Sequence, residues 1–76
     1  MRVLIIEDEN LLANELKRTL SKIRQDVQVV DQVRSVQQGK EWFTRDLEID
    51  LIISDIQLID GTSFELFKQV NIQTPI

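Results

Sequence analysis

The chain has 76 residues, a net charge of −4 and no cysteine. That length holds one small domain, the lack of thiols excludes disulfides and thiolate metal sites, and the acidic balance argues against nucleic-acid binding by this segment alone. Hydrophobic residues make up 42% and charged residues 29%, the mixture of a globular chain rather than a disordered one. The apolar runs "VLII" and "LII" are too short to cross a membrane, and nothing resembles a signal peptide. A cytoplasmic domain is the reading that fits.

Residues 2–6, "RVLII", form a short β-branched apolar run, the pattern of a strand buried on both faces. It stops abruptly at Glu7, Asp8 and Glu9. A helix is expected from about Asn10 to Arg24, because Leu12, Leu16, Leu20 and Ile23 recur on one stripe, with Asn10 or Asp8 as its cap. Lys17, Arg18, Lys22 and Arg24 along it are read as a solvated helix face rather than an anion site. "VQVVDQV" at 27–33 alternates imperfectly and reads as a second strand. Ser35 then caps a helix through about Asp46, with Val36, Gly39, Trp42 and Phe43 facing inward. At that spacing Trp42 reads as core rather than as a binding platform.

"DLIIS" at 50–54 repeats the pattern of the first strand and also ends in an acid, Asp55. After "IQLIDG", the stretch "TSFE" at 62–65 matches a capping box, in which Thr62 and Glu65 satisfy each other's backbone donors. A short helix carrying Phe64, Phe67 and Val70 follows. "NIQTPI" closes the chain, with Pro75-Ile76 reading as the first step of a further strand.

The order β-α-β-α-β-α implies parallel strands joined by right-handed crossovers, with helices on both faces. In such sheets functional groups collect at the carboxyl ends of the strands. The first and third strands are then neighbours, so Glu7, Asp8 and Asp55 converge although they are distant in sequence. Adjacent strands lie about 4.8 Å apart, and unpaired carboxylates at that separation repel. A hard divalent cation such as Mg²⁺ removes the conflict. It accepts one or two carboxylates and keeps positions for water or phosphate oxygens. An Asp carboxylate beside it is placed to act as a nucleophile towards phosphorus.

With an acidic pair after "VLII" and "DLIISDIQLIDG" ending the third strand, the chain resembles the receiver domain of bacterial two-component response regulators. The wording "DIQLIDGTSFELF" is most similar to receivers that precede a LytTR-type DNA-binding domain. The resemblance implies a flavodoxin-like, doubly wound α/β fold of strand order 2-1-3, with residues 1–76 forming its N-terminal part. It implies that Asp55 accepts a phosphoryl group from a sensor histidine kinase and that Mg²⁺ is required. The ion's ligands would be Asp8, Asp55 and the backbone carbonyl of Gln57, with Glu7 reaching it through water. Such a domain is a phosphoacceptor rather than an enzyme, and it controls a DNA-binding, transcriptional output carried by another domain.

Two departures from the family stand out. Receivers commonly carry proline four places after the acceptor, where this chain has Ile59. The family also draws a Thr or Ser and a Lys from later strands, which are not in these 76 residues. With those strands missing, the edge at "DLIIS" would be open to pairing, and a homodimer or intertwined oligomer is the expectation for the 76-residue chain. Two other classes compete. A haloacid-dehalogenase-like phosphotransferase also uses a strand-end Asp and Mg²⁺, but needs a second Asp where Gln57 stands. A pseudo-receiver would keep the fold as a pure interaction domain, typically with one site acid lost, and here all three are present.

Overall fold

In the computed structural model, which describes residues 1–45 and 47–70, the chain folds around its first strand. β1 (Arg2–Ile6) is followed by α1 (Asn10–Ile23), β2 (Gln28–Val33) and α2 (Val36–Trp42). A 3₁₀ turn at Phe43–Arg45 extends α2. Next come β3 (Leu51–Ser54), the two-residue strands β4 (Gln57–Leu58) and β5 (Gly61–Thr62), and α3 (Ser63–Gln69). The sheet is parallel, as the alternation of elements predicts, and has the order β2-β1-β3 that the family resemblance implies. The stretch expected to begin a further strand, and the end of the second helix at Asp46, lie outside the described residues.

β1 runs down the middle because its apolar residues are the ones fully buried on both faces. Val3, Leu4, Ile5 and Ile6 each have 0% exposure, which contributes on the order of 1.5–3 kcal/mol per side chain. Val3 and Ile5 face α1, packing with Ala13, Leu16 and Leu20. Leu4 and Ile6 face the opposite layer with Val36 and Trp42 of α2 and Leu66 of α3. One helix therefore covers one face and two cover the other.

The apolar stripe of α1 is rotated from the one its leucines suggest. Ala13 is its only buried residue, while Leu12 is 44% and Ile23 71% exposed. The small side chain at 13 sits against the bulky Val3 and Ile5, where a leucine would hold the helix off. Its cap also differs. Glu9 is the N-cap and makes no side-chain cap bond. Asn10 is already helical, and its Oδ1 accepts from Gln32 Nε2 at 3.4 Å.

β2 carries an irregularity that explains its imperfect alternation. Val3 pairs with Val29 but Leu4 pairs with Asp31, so Val30 is an extra residue in the parallel ladder. Val27 and Val29 pack on the α1 face, whereas Val30 and Val33 pack on the α2 face. Asp31 turns the same way, and its Oδ2 accepts from the Trp42 indole Nε1 at 2.9 Å. Trp42 is core, 4% exposed, with its ring edge-on to Phe43 at 5.3 Å.

α2 starts from three side-chain oxygens. Ser35 Oγ accepts from Gln38 N at 3.0 Å, as its sequence position predicts. The two preceding amides, Val36 N and Gln37 N, donate to Asp60 Oδ1 and Oδ2 at 2.7 and 3.1 Å. A residue 24 positions away thus completes the cap. Asp60 sits in the turn between β4 and β5, a small antiparallel hairpin that the sequence reading placed in a loop. Gly61 closes the turn at φ +152°, a conformation that side chains with a Cβ rarely adopt. Thr62 Oγ1 accepts from Glu65 N at 3.3 Å and caps α3.

The donors at α2 hold Asp60 below its ordinary carboxylate pKa of 3.8, chiefly through the Val36 amide. A depressed folded value means that the native state releases this proton more readily than the unfolded chain. The resulting stability is present above pH 3.8 and is lost as pH falls through the lower, folded value. Asp60→Ala should therefore lower the melting temperature at neutral pH. It should also flatten the acid limb of a stability-versus-pH curve below that point.

Where α2 crosses α3, a Cβ on Gly39 would overlap Leu66 Cδ2, and Leu66 is fully buried and cannot swing away. Gly39→Ala gains about 1 kcal/mol of helix propensity against roughly 1–3 kcal/mol of overpacking. Thermal denaturation of the variant should show a melting point a few degrees below that of the parent.

Candidate functional site

The carboxyl ends of β1 and β3 are locked side by side by the ladder that forms the sheet. Ile6 pairs with Ser54 on one side and with Val33 on the other. One residue further, Glu7 N donates to Val33 O and Asp55 N donates to Ile6 O, both at 2.9 Å. The two strands therefore release their acids at the same level. Glu7, Asp8 and Asp55 each present a carboxylate oxygen, and these oxygens all lie within 4.8 Å of one another. The sequence expectation that the three acids converge holds in the structure.

Their environments differ. Glu7 is buried at 5% exposure, Asp8 is half-buried, and Asp55 is exposed. Asp8 N donates to Glu7 Oε2 at 3.0 Å, and Ile56 N donates to Asp55 Oδ1 at 2.8 Å. These bonds orient the first and last carboxylates without neutralising them. Among the described residues, the ion pairs are Arg24 with Asp26 and Arg45 with Asp31, and no base pairs with the three acids. Burial, followed by the nearby Asp55 charge, pushes the Glu7 carboxyl above its ordinary pKa of 4.5, against lowering hydrogen bonds from the Asp8 and Glu9 amides.

Oxygen donors carrying this much uncompensated negative charge suit a hard cation. Opposite ligands of octahedral Mg²⁺ lie roughly 4.2 Å apart, twice a bond of about 2.1 Å. Oxygens within 4.8 Å of each other are compatible with two direct contacts and a third through water. Gln57 opens β4 opposite Thr62, two residues beyond Asp55. The Gln57 side chain is exposed.

The sequence reading did not identify Gln32. Its Nε2 donates to the backbone carbonyl of Glu7 at 3.0 Å. Its Oε1 accepts from Lys17 Nζ at 3.5 Å. The signal was present in the doubled Val29-Val30 of "VQVVDQV", which breaks the alternation before Gln32. Ile56, next to Asp55 in the chain, and Ile59, in the hairpin turn, are both more than half exposed.

No protein-family model matches the chain, and no curated protein matches it. Solved structures do. The anti-anti-sigma factor PhyR from Bartonella quintana, in co-crystal with the anti-sigma factor NepR, is 28% identical. That match covers 97% of this chain and 30% of PhyR at a TM-score of 0.78. The non-phosphorylated receiver domain of HemR from Leptospira biflexa is 26% identical over 90% of this chain and 52% of its own, with a TM-score of 0.72. A mutant of the response regulator MaeR bound to sulfate gives a TM-score of 0.79 over 99% of this chain and 63% of its own; at 19% identity it bears on the fold alone. The chain has a receiver-type fold and spans less than two thirds of each of these proteins.

The raised pKa of Glu7 carries a sign that can be checked. The native state holds this proton more tightly than the unfolded chain, so the contribution of Glu7 to stability falls as pH rises from 4.5 through the folded value. Without divalent cations, Glu7→Gln should remove that descending limb and raise the neutral-pH denaturation midpoint. The glutamine's side-chain oxygen can still accept from Asp8 N, as Glu7 Oε2 does, while the charge opposing Asp55 is removed. Urea midpoints measured in chelator across pH 4–8 check both outcomes.

Proposed function

We propose that this chain is a phosphoacceptor receiver segment in which Asp55 takes a phosphoryl group and Glu7 and Asp8 serve a Mg²⁺ ion. The observation that carries the reading is the convergence of three carboxylates within 4.8 Å at the ends of two adjacent parallel strands. Burial and mutual repulsion work against holding them together, and a cation relieves both. Asp8 and Asp55 would hold the ion directly, with the Gln57 carbonyl as a further ligand and Glu7 acting through water. Mg²⁺, when bound, neutralises charge on the transferring phosphoryl group.

The chain's own part in the chemistry is orientation. Ile56 N fixes Asp55 Oδ1, leaving the other carboxylate oxygen as the nucleophile. Exposure of Asp55 leaves that oxygen open to a donor. Its lone pair forms a bond to phosphorus as the donor's P–N or P–O bond breaks, the leaving group departs with that bond's electrons, and an acyl phosphate remains on Asp55. A sensor histidine kinase is the donor consistent with this chemistry. Transcriptional output through a DNA-binding domain, of LytTR type by the sequence of the β3–α3 segment, would belong to another part of the protein.

A second reading draws on the co-crystal of PhyR with an anti-sigma factor. By that likeness the fold here would serve as a protein-docking module, and in the pseudo-receiver form of that reading it would do so without phosphorylation. One experiment separates the two. Intact mass is measured after incubation with Mg²⁺ and a small acyl phosphate, alongside Asp55→Asn. One added phosphoryl group, absent in the variant, is the expected result; a folded, unmodified parent would favour the docking module. In parallel, millimolar Mg²⁺ should raise the melting temperature by mass action, and Asp8→Asn should abolish most of that rise.

A further inference from the structure

Gln32 lies on β2, on the side of β1 away from β3, beside the corner where β1 passes into α1, and the extra residue in β2 puts it there. Through Val29, β2 follows ordinary alternation, with Val27 and Val29 on the α1 face. After the slip at Val30, Asp31 is directed to Trp42 on the α2 face, and Gln32 is delivered to the α1 face. There its amide meets three groups, the Glu7 carbonyl at 3.0 Å, Asn10 Oδ1 at 3.4 Å and Lys17 Nζ at 3.5 Å. Without the slip, Gln32 would point towards α2 and Asp31 towards α1. A bulge beside a site commonly re-aims a side chain in this way.

The bonded groups matter more than their number. The Glu7 carbonyl belongs to the peptide that links Glu7 to Asp8, so fixing it fixes the direction in which the next residue leaves β1. Asn10 is the first residue of α1, so the same amide also sets the start of the helix relative to the strand. Donor and acceptor assignments agree, since the NH₂ group donates to two oxygens while the carbonyl oxygen accepts from a lysine. Besides the backbone bonds from Glu7 N to Val33 O and from Ala13 N to Glu9 O, the β1–α1 corner draws little side-chain support from its own residues. Glu9 caps α1 without a side-chain bond, and the Asp8 amide is taken by Glu7.

We infer that Gln32 is a positioning residue for the acidic site. The bulge at Val30 aims its amide at the Glu7 carbonyl, and that bond holds Asp8 in register with Asp55 for a divalent cation. The inference rests on the cation-binding reading given above. Partners one step removed from a metal's ligands typically change its affinity about 10- to 100-fold when removed, and a single neutral bond places Gln32 at the low end of that range.

Two variants test this, with Mn²⁺ as the probe and its binding read by the loss of the free-ion electron paramagnetic resonance signal. Gln32→Leu keeps the bulk but removes the donor. Gln32→Glu keeps the length and the Lys17 contact, removes the donor and adds a negative charge, which by Coulomb attraction alone would tighten cation binding. Both variants should bind Mn²⁺ about tenfold more weakly than the parent, while their metal-free melting temperatures stay within a few degrees of it. Weakening in Gln32→Glu is the decisive result, because charge predicts the opposite sign. Parent-like affinity in Gln32→Leu, or tighter binding in Gln32→Glu, would overturn the inference and leave the cation site standing. A parent chain that binds no Mn²⁺ would instead defeat the cation reading itself, and the role of Gln32 with it.

Discussion

The constraint on which the rest of this structure depends is that β1 has no exposed side. Its four apolar residues are shielded above and below by helices and paired on both edges by parallel strands. Such a strand can present polar groups only at its ends, Arg2 at the amino end and the acids at the carboxyl end. Glu7 is the first residue after the buried run and is itself still buried. Its backbone amide continues the ladder to Val33 while its side chain enters the acid cluster. The site is thus the next step of the core rather than a patch added to its surface.

That placement costs stability, and the structure shows how the cost is contained. A buried carboxylate beside another negative charge has a raised pKa, and Glu7 shows it. Hydrogen bonds from backbone amides offset part of the cost, and no cationic side chain among the described residues is recruited to offset the remainder. A lysine or arginine at the cluster would stabilise the three acids, but on the proposed function it would also compete with the cation and shield Asp55. On the cation-binding proposal, leaving the charge uncompensated would keep the cluster receptive, a trade of stability for function of the kind expected where local rules are broken.

What was legible in the sequence was local. The continuous run 2–6 announced burial on both faces, the repeat of that run at 51–54 announced its neighbour, and Ser35 and Thr62 announced their helices. Given strand order 2-1-3, the three acids could be brought together from sequence alone. What escaped reading was contact across distance. Nothing near Asp60 indicates that its carboxylate caps a helix beginning 24 residues earlier. The inward face of α1 was misplaced for a related reason: leucine periodicity marks several stripes, and only the bulk of Val3 and Ile5 opposite decides that the small Ala13 fits best.

Gln32 and Asp60 together show how a small sheet steadies its loops. Both are polar residues that reach from one βα unit to the backbone of another, Gln32 to the corner after β1 and Asp60 to the start of α2. The β3–α3 segment that carries Asp55 is tied twice, by Ser63 N donating to Ile56 O at 2.8 Å and by Asp60 at its hairpin turn. This second tie does by hydrogen bonding what a proline at position 59 would do by restricting the backbone. Ile59 is consequently free to lie 82% exposed at the hairpin tip, since the turn is held by the residues on either side of it. The geometry of the acid cluster thus depends on long-range bonds to backbone amides and carbonyls, and that is why its supporting residues lie on β2 and in the hairpin rather than beside the acids in sequence.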